Sequence, residues 1–160
     1  MQINKIEPSM WQAIFELQCQ VYTEIEPESL QVLRGKWLHS PHCCFVLQDK
    51  ADNIIAYLLA HEWHDETPPK LYQPLLNENK GDRLFLHDLA VSKALKGKGV
   101  GKKMVTQLID IAKAGHYQHI QLVAIQHSVS FWQKMGFSID VNNVASETYG
   151  NNAQVMVLTL

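Results

Sequence analysis

The chain has 160 residues, of which 46% are hydrophobic and 19% are charged, so we expect one domain over residues 1–160 with one sizeable core. Its net charge of -2 gives no overall attraction to nucleic acid or to an anionic membrane, so any anion site must be local. The first ten residues lack the apolar core of a signal peptide, and Cys19, Cys43 and Cys44 cannot form a full set of disulfides. We therefore expect a cytoplasmic protein that binds neither nucleic acid nor membrane.

The first half of the chain alternates between strand-like and helix-like apolar spacing. The predicted elements are a strand, two helices and the two strands of a hairpin: Ile3 to Ile6, Pro8 to Val21, Leu30 to Trp37, Cys43 to Gln48 and Ile54 to Glu62. No period survives from Trp63 to Arg83, which contains three prolines. We predict a long loop there, and loops of this length are often functional.

The second half begins with Leu84 to Val91, a nearly continuous apolar run typical of a central strand that is covered on both faces. Three glycines follow within five residues, and helical spacing then runs from Gly99 to Ala114. The remaining predicted elements are a strand, a short helix and two strands: His119 to Ala124, His127 to Met135, Phe137 to Val141 and Ala153 to Leu160. The resulting order is β-α-α-β-β-β-α-β-α-β-β, which indicates an α/β (α+β) protein.

The glycine turn between the central strand and the following helix indicates a phosphate site. Glycine lets a backbone approach an anion closely, and the first N–H groups of a helix point outward without internal partners. The spacing from Gly97 to Lys103 matches neither a Walker loop nor a dinucleotide-binding fingerprint. The alternative is a tight turn that only caps the helix.

Two motifs resemble those of the GNAT N-acetyltransferases. The pyrophosphate signature of that family is Arg or Gln, two residues, Gly, one residue, then Gly or Ala; Lys96, Gly99 and Gly101 stand in those places, with Lys96 as the departure. The run from Phe131 to Phe137 is similar to the family's Phe-Tyr-x-x-x-Gly-Phe segment. The resemblance covers nearly the whole chain. It implies a GNAT fold with a mixed central sheet of about six to seven strands flanked by four helices, and acetyl-CoA as cosubstrate.

By this resemblance, the coenzyme's pyrophosphate would lie on the amides from Gly97 to Lys102, and lysine side chains would supply the local positive charge. The strand residues from Leu89 to Val91 would pair with the pantetheine arm, and the amide of Leu89 would act as an oxyanion donor. The predicted coenzyme-binding residues are Leu89, Ala90, Val91, Lys96, Gly97, Lys98, Gly99, Val100, Gly101, Lys102, Gln126, Phe131 and Trp132.

His87 is the natural candidate for a catalytic base, because an alkylamine is mostly protonated near pH 7 and must lose a proton before it can attack. Strand alternation predicts that His87 and Leu89 share one face of the strand, with Asp88 on the other. The sequence here also resembles the arylalkylamine N-acetyltransferases, which carry a histidine at the matching place of a His-x-Leu-Ala-Val context. The alternative is a buried histidine with a structural role.

Trp132 stands where many members of the resembled family have a tyrosine that is proposed to protonate the departing CoA thiolate. An indole N–H is not a useful acid, so Tyr149 or a water would have to substitute. Two hypotheses follow. The first is an N-acetyltransferase that acts on a primary amine, of a small molecule rather than a peptide, by direct attack in a ternary complex. The second is a non-catalytic acyl-CoA-binding or regulatory domain.

Other polar clusters give weaker signals. The histidines near Cys43 and Cys44 lack a recognised ligand spacing, so we expect no metal. The acidic run Glu24, Glu26 and Glu28 either attracts a cationic amine or is a solvated loop. A homodimer is an open alternative to a monomer.

Overall fold

The computed structural model describes residues 1–76 and 80–160, and these residues form one seven-stranded sheet with four α-helices. The strands are β1 (Gln2–Lys5), β2 (Phe45–Gln48), β3 (Ile54–Trp63), β4 (Arg83–Val91), β5 (His119–Ala124), β6 (Ser138–Ile139) and β7 (Gln154–Thr159). The helices are α1 (Trp11–Val21), α2 (Leu30–His39), α3 (Val100–Ala114) and α4 (Val129–Lys134). The predicted α+β fold and its element order are therefore confirmed.

The sheet separates two apolar cores. Its strand order is β1-β2-β3-β4-β5-β7-β6, with β4 and β5 parallel and the other neighbours antiparallel. Ala56 and Leu58 of β3 belong to the core shared with α3, whereas Tyr57 and Leu59 belong to the core shared with α1 and α2. We call these two sides of the sheet the α3 face and the α1–α2 face. Burial on both faces explains the nearly continuous apolar runs of β3 and β4.

One predicted strand is much shorter in the structure. The strand predicted from Phe137 to Val141 is limited to the two residues of β6. Phe137 does not extend that strand, because its amide donates to the carbonyl of Trp132 at 3.1 Å at the end of α4. Its ring is buried against Trp132, with the ring centroids 5.5 Å apart. The predicted long loop joins β3 to β4, and its residues 77–79 lie outside the described part of the chain. In the described ranges, none of the helices combines the length and the apolar content needed to cross a membrane.

β4 and β5 diverge at one end of the sheet. The two strands pair from Arg83 to Leu86 of β4, opposite His119 to Leu122 of β5. Beyond these residues, β4 continues along β3 to Val91, and β5 continues along β7 to Ala124. The divergence opens a gap in the middle of the sheet.

Backbone polar groups of β4 face this gap. The amide of Ser92 donates to the carbonyl of Ile55 at 2.9 Å, so this pair is a hydrogen-bonded pair of the antiparallel β3–β4 ladder. Hydrogen-bonded and non-hydrogen-bonded pairs alternate along such a ladder. Leu89 and Val91 therefore lie in non-hydrogen-bonded pairs, and their N–H and C=O groups turn away from β3. They point toward the side on which β5 has separated.

A β-bulge in β4 lies beside the same gap. Leu59 of β3 stands opposite Asp88, while the next residue, Ala60, stands opposite Leu86. His87 is therefore an extra residue that has no counterpart on β3.

The bulge corrects the prediction that His87 and Leu89 share a face. His87 contacts Glu28, which precedes α2, and Asp88 contacts Tyr57, so these two consecutive side chains both lie on the α1–α2 face. Leu89 packs against the core on the α3 face. The prediction was wrong because a period of two residues does not count an inserted residue.

Candidate active site

A cavity of about 560 Å³ occupies the gap between β4 and β5. Residues Leu86 to Leu89 of β4 form one wall, and the end of β5 forms another. The glycine turn and the segment before α2, including Ile25 and Glu26, complete the lining. A cavity of this size is typical of a small-molecule or cofactor site.

The glycine turn has the geometry of an anion site at the start of α3. Gly97 and Gly99 both have φ near +78°, a left-handed conformation that side chains disfavour. The amide of Lys103 makes the first bond of the helix, to the carbonyl of Gly99 at 3.0 Å. The amides of the three helical residues before Lys103 therefore have no helical partner and point out of the helix N-terminus.

Gly101 is a glycine for a different reason. A Cβ at this position would lie 3.1 Å from Cζ of Phe131, so the Phe131 ring packs directly on the first turn of α3. Trp132 also lines the cavity, but its Nε1 already donates to Oγ of Ser128 at 3.1 Å. Both predicted aromatic residues thus border the cavity, and the indole N–H is satisfied within α4 and its cap.

Lysine side chains give this part of the cavity its positive charge. Lys96 and Lys102, both predicted, line the cavity together with Lys93, which the sequence analysis did not single out. Lys98 is exposed outside the lining, and Nζ of Lys103 lies 3.4 Å from the carbonyl of Met1. Of the three lysines predicted to bind the coenzyme, Lys96 and Lys102 therefore line the cavity and Lys98 does not.

The three predicted strand residues have different surroundings. Leu89 and Val91 line the cavity, as expected for residues whose backbone faces the gap. Ala90 is fully buried on the α1–α2 face and lies outside the lining.

Gln126 connects the two walls of the cavity. Its Oε1 accepts hydrogen bonds from the amides of Thr23 at 3.2 Å and Glu24 at 3.3 Å, just after α1. The residue has φ near +50°, so the backbone after β5 adopts a left-handed conformation there. The predicted coenzyme residue Gln126 therefore lines the cavity and also joins the end of β5 to the loop before α2.

His87 forms a buried pair with Glu28. Nε2 of His87 lies 2.5 Å from Oε1 of Glu28, and the two side chains are only 1% and 5% exposed. Burial alone would raise the pKa of Glu28, but His87, the amide of Tyr72 and Lys36 more than offset this effect and lower it. Glu28 is therefore a carboxylate.

Glu28 is held from several directions. Its amide donates to Oε1 of Gln18 at 2.9 Å, and its carbonyl accepts from Nε2 of Gln18 at 3.0 Å. Its second carboxylate oxygen accepts from the amide of Tyr72 at 2.9 Å. Both carboxylate oxygens are thus engaged, so Glu28 positions His87 and is not free to bind a ligand.

This arrangement defines the state of the His87 ring. An ionised carboxylate can only accept, so Nε2 of His87 must carry the hydrogen that points to Glu28. In the neutral ring Nδ1 then has a free lone pair. Nδ1 is buried and has no hydrogen-bond partner among the described residues. In that state His87 therefore holds an oriented lone pair, and the residue lines the cavity.

Asp88 is a second oriented group beside His87. Its Oδ2 accepts from the hydroxyl of Tyr57 at 2.6 Å, while its Oδ1 has no partner among the described residues. Burial raises the pKa of Asp88 to about 6, although His87 and nearby tyrosine hydroxyls act in the opposite direction. Tyr22, which the sequence analysis also missed, donates to the carbonyl of Leu89 at 2.9 Å and lines the cavity.

We predict that Asp88→Asn stabilises the fold near pH 8. The carboxyl has a pKa of about 6 in the fold against an ordinary 3.8, so its ionised form is disfavoured there. This difference in pKa corresponds to about 3 kcal/mol in the free energy of unfolding. The protein loses that stability as the pH rises from about 4 to about 6, and it does not regain it at higher pH. Chemical unfolding should show the gain near pH 8 and little gain near pH 4. Asp110→Asn, on the exposed side of α3, is the matched control and should show neither.

Tyr149 lines the cavity, but its hydroxyl is engaged elsewhere. It donates to the carbonyl of Pro69 at 2.6 Å, and burial raises the pKa of the phenol. The amide of Leu71 donates to Oγ1 of Thr148, and the hydroxyl of Tyr72 donates to the carbonyl of Glu26 at 3.0 Å. The described part of the long loop is thus fixed to two other segments of the cavity wall.

Among residues 1–76 and 80–160, no group of three or more His, Cys, Asp or Glu side chains is arranged to hold a metal ion.

Comparison with protein families gives one match. The model described as the acetyltransferase (GNAT) family matches residues 11–137. A comparison with curated protein sequences finds no match.

Solved structures share the fold at low sequence identity. The GphF GNAT-like decarboxylase in complex with isobutyryl-CoA has a TM-score of 0.82 and 13% identity, over 99% of each chain. The NatC complex bound to Gag peptide and CoA has a TM-score of 0.73 and 20% identity, over 100% of this chain and 99% of that one. The ribosomal-protein-S18-alanine N-acetyltransferase from Escherichia coli has a TM-score of 0.69 and 16% identity, over 99% of this chain and 92% of that one.

Proposed function

Because the chain belongs to the GNAT acetyltransferase family, we propose that it transfers an acetyl group from acetyl-CoA to a primary amine of a small molecule. Acyl-CoA-dependent acyl transfer is the general chemistry of the family, and the acetyl donor and the small amine acceptor are the specific parts of the proposal. The observation that carries it is His87, whose Nδ1 is unpartnered among the described residues, while Glu28 fixes the ring beside the cavity.

The residues around the cavity fit an acyl-CoA. The unpartnered amides at the start of α3 and the ammonium groups of Lys93, Lys96 and Lys102 suit the phosphates of the coenzyme. The N–H and C=O of Val91 face the gap and suit the amides of the pantetheine arm, whereas the C=O of Leu89 accepts from the hydroxyl of Tyr22 and its N–H remains for the thioester. When bound, acetyl-CoA supplies a thioester whose carbonyl carbon accepts the nucleophile.

A protonated primary amine loses two protons in the proposed reaction, one before the nitrogen attacks and one afterwards. The neutral amine nitrogen forms a bond to the acetyl carbon, and the bond from that carbon to sulfur breaks with the electron pair leaving on sulfur. Nδ1 of His87 takes the proton that the ammonium loses before attack and returns it to solvent, and the proton that the nitrogen loses after attack passes through water to the departing thiolate. The amide of Leu89, turned toward the gap, can donate to the carbonyl oxygen as negative charge develops there.

The buried pair also bears on the alternative of a non-catalytic binding domain. Two ionisable groups cost desolvation energy when they are taken out of water, and an apolar pair of similar volume is often as stable. The pair is thus poorly explained by stability, whereas an oriented base explains it directly. Activity must decide between the two functions.

The deciding experiment measures CoA release from acetyl-CoA across a panel of small amines and N-terminal peptides. Amine-dependent thiol release, with N-acetylated product identified by mass spectrometry, would support the proposed function. Acetyl-CoA binding with no amine-dependent release across the panel would instead favour the binding domain. Release with peptides alone would retain acetyl transfer and refute the small-molecule acceptor.

We predict that Glu28→Gln lowers kcat by about 10- to 100-fold. The amide keeps the volume and one acceptor oxygen but loses the charge that stabilises His87 when it takes a proton, and a hydrogen bond to a charged group contributes about 1.5–3 kcal/mol. Steady-state rates with the best amine of the panel will measure it. Glu16→Gln, on the exposed side of α1, is the matched control. A wild-type kcat for Glu28→Gln would refute the positioning role.

A further inference from the structure

The bulge at His87 brings two polar side chains, His87 and Asp88, to the same face of β4 beside the cavity. His87 and Asp88 are consecutive and lie on the same face, and each is oriented by its own partner. Glu28 holds His87 through Nε2, and Tyr57 holds Asp88 through Oδ2. The remaining atoms, Nδ1 of His87 and Oδ1 of Asp88, are both buried and have no partner among the described residues. Both are hydrogen-bond acceptors when the ring is neutral and the carboxyl is ionised.

Most other polar side chains near the bulge are already engaged, although the Tyr22 hydroxyl also acts on Asp88 and the buried Nε2 of His61 has no partner among the described residues. The hydroxyls of Tyr22, Tyr72 and Tyr149 donate to backbone carbonyls, and the side-chain amide of Gln18 bonds to the backbone of Glu28. Both carboxylate oxygens of Glu28 are also taken. Asp88 therefore offers the free carboxylate oxygen of this group.

We propose that Oδ1 of Asp88 and Nδ1 of His87 form a subsite for the ammonium group of the acceptor, with Asp88 binding the cation and His87 removing its proton. This inference rests on the proposed function and specifies its substrate: a primary amine that arrives protonated. An ammonium has three N–H donors and no acceptor, so it can donate to acceptors on two consecutive residues. Ile25 and Leu71 also line the cavity, so the group that carries the amine is apolar.

A division of charge along the cavity supports this assignment. Lys93, Lys96 and Lys102 line it beside the glycine turn, whereas Glu26 and Asp88 line it beside the segment before α2. Electrostatic attraction therefore directs an anionic coenzyme and a cationic acceptor to different parts of one cavity.

The test compares amines with alcohols of the same shape. Protein saturated with CoA is titrated by calorimetry with n-propylamine, n-hexylamine and 2-phenylethylamine, each against the matching alcohol. The wild type should bind at least one amine about 10-fold or more tightly than its alcohol, since losing a hydrogen bond to a charged group costs about 10- to 100-fold. Asp88→Asn should abolish this preference. With the best acceptor, it should raise KM by a similar factor and change kcat little.

Two further variants separate charge from packing. Tyr57→Phe removes the hydroxyl that orients Asp88 but keeps the carboxylate, so it should retain most of the preference for ammonium. Asp110→Asn should retain all of it. A preference that survives in Asp88→Asn, a loss in Tyr57→Phe as large as in Asp88→Asn, or no preference in the wild type would each overturn the subsite. Acetyl transfer to amines in the panel would in those cases still support the proposed function, and its absence would refute that function separately.

Discussion

Replacing His87 by alanine or glutamine is expected to lower kcat about 100-fold or more, with acetyl-CoA binding nearly unchanged, because general-base catalysis contributes about 100- to 10,000-fold. The two variants test different things. Alanine leaves the buried carboxylate of Glu28 without its partner, so part of its effect can come from a weakened fold. Glutamine can still donate an N–H to Glu28 but cannot accept a proton from the amine. His87→Gln is therefore the more informative change.

Initial rates against pH, together with an acetyl-CoA titration of each variant, will measure this effect. His119→Ala is a suitable control, because His119 lies at the other end of β5, opposite Arg83. It should retain wild-type kcat. A wild-type rate in His87→Gln, with an unchanged acidic limb of the pH profile, would remove the catalytic role and make His87 a structural residue.

Gly101→Val is expected to weaken acetyl-CoA binding about 100-fold or more, or about 2.7 kcal/mol, and to remove the thermal shift that the coenzyme produces. A Cβ alone would lie 3.1 Å and 3.3 Å from two atoms of the Phe131 ring. The two further methyl groups of valine would move the ring or cover the amides at the start of α3. Gly101→Ala should have a smaller effect, because the ring needs to shift by only a few tenths of an ångström.

Gly35→Val is the matched control for this series. Gly35 lies in α2, and a Cβ there would have no neighbour within 4 Å. Its acetyl-CoA affinity should equal that of the wild type by calorimetry. If Gly101→Val also binds with wild-type affinity while remaining folded, the coenzyme does not use the start of α3.

The sequence predicted those parts of the fold that are determined by the spacing of apolar residues and glycines along the chain. Period-two and helical spacing predicted the strands and helices, and the glycines after β4 predicted a turn, because glycine is favoured where φ is positive. The bulge at His87 leaves no such pattern, since an inserted residue in an apolar strand looks like any other residue. Its presence reversed the predicted relation of His87 to Asp88 and Leu89.

The contacts that orient the candidate base could not be found from local pattern either. Glu28 is 59 residues from His87 in the sequence, and Gln126 is 103 residues from Thr23. The acidic run that contains Glu28 suggested attraction of an amine, whereas both oxygens of Glu28 are used inside the protein. Tyr22 follows α1 without any motif. Such residues are identified by distance in the fold and not by spacing in the chain.

The bulge has a consequence for how this domain can change over evolution. Leu86 and Asp88 already stand opposite consecutive residues of β3, so a deletion of the single codon for His87 would leave an unbroken ladder. The glycine turn and the strand amides that face the gap would keep their register. A single insertion or deletion of one residue is therefore enough to gain or lose the candidate base. Paralogues that share the glycine turn and the strand amides can differ in catalysis because one strand is a residue longer or shorter.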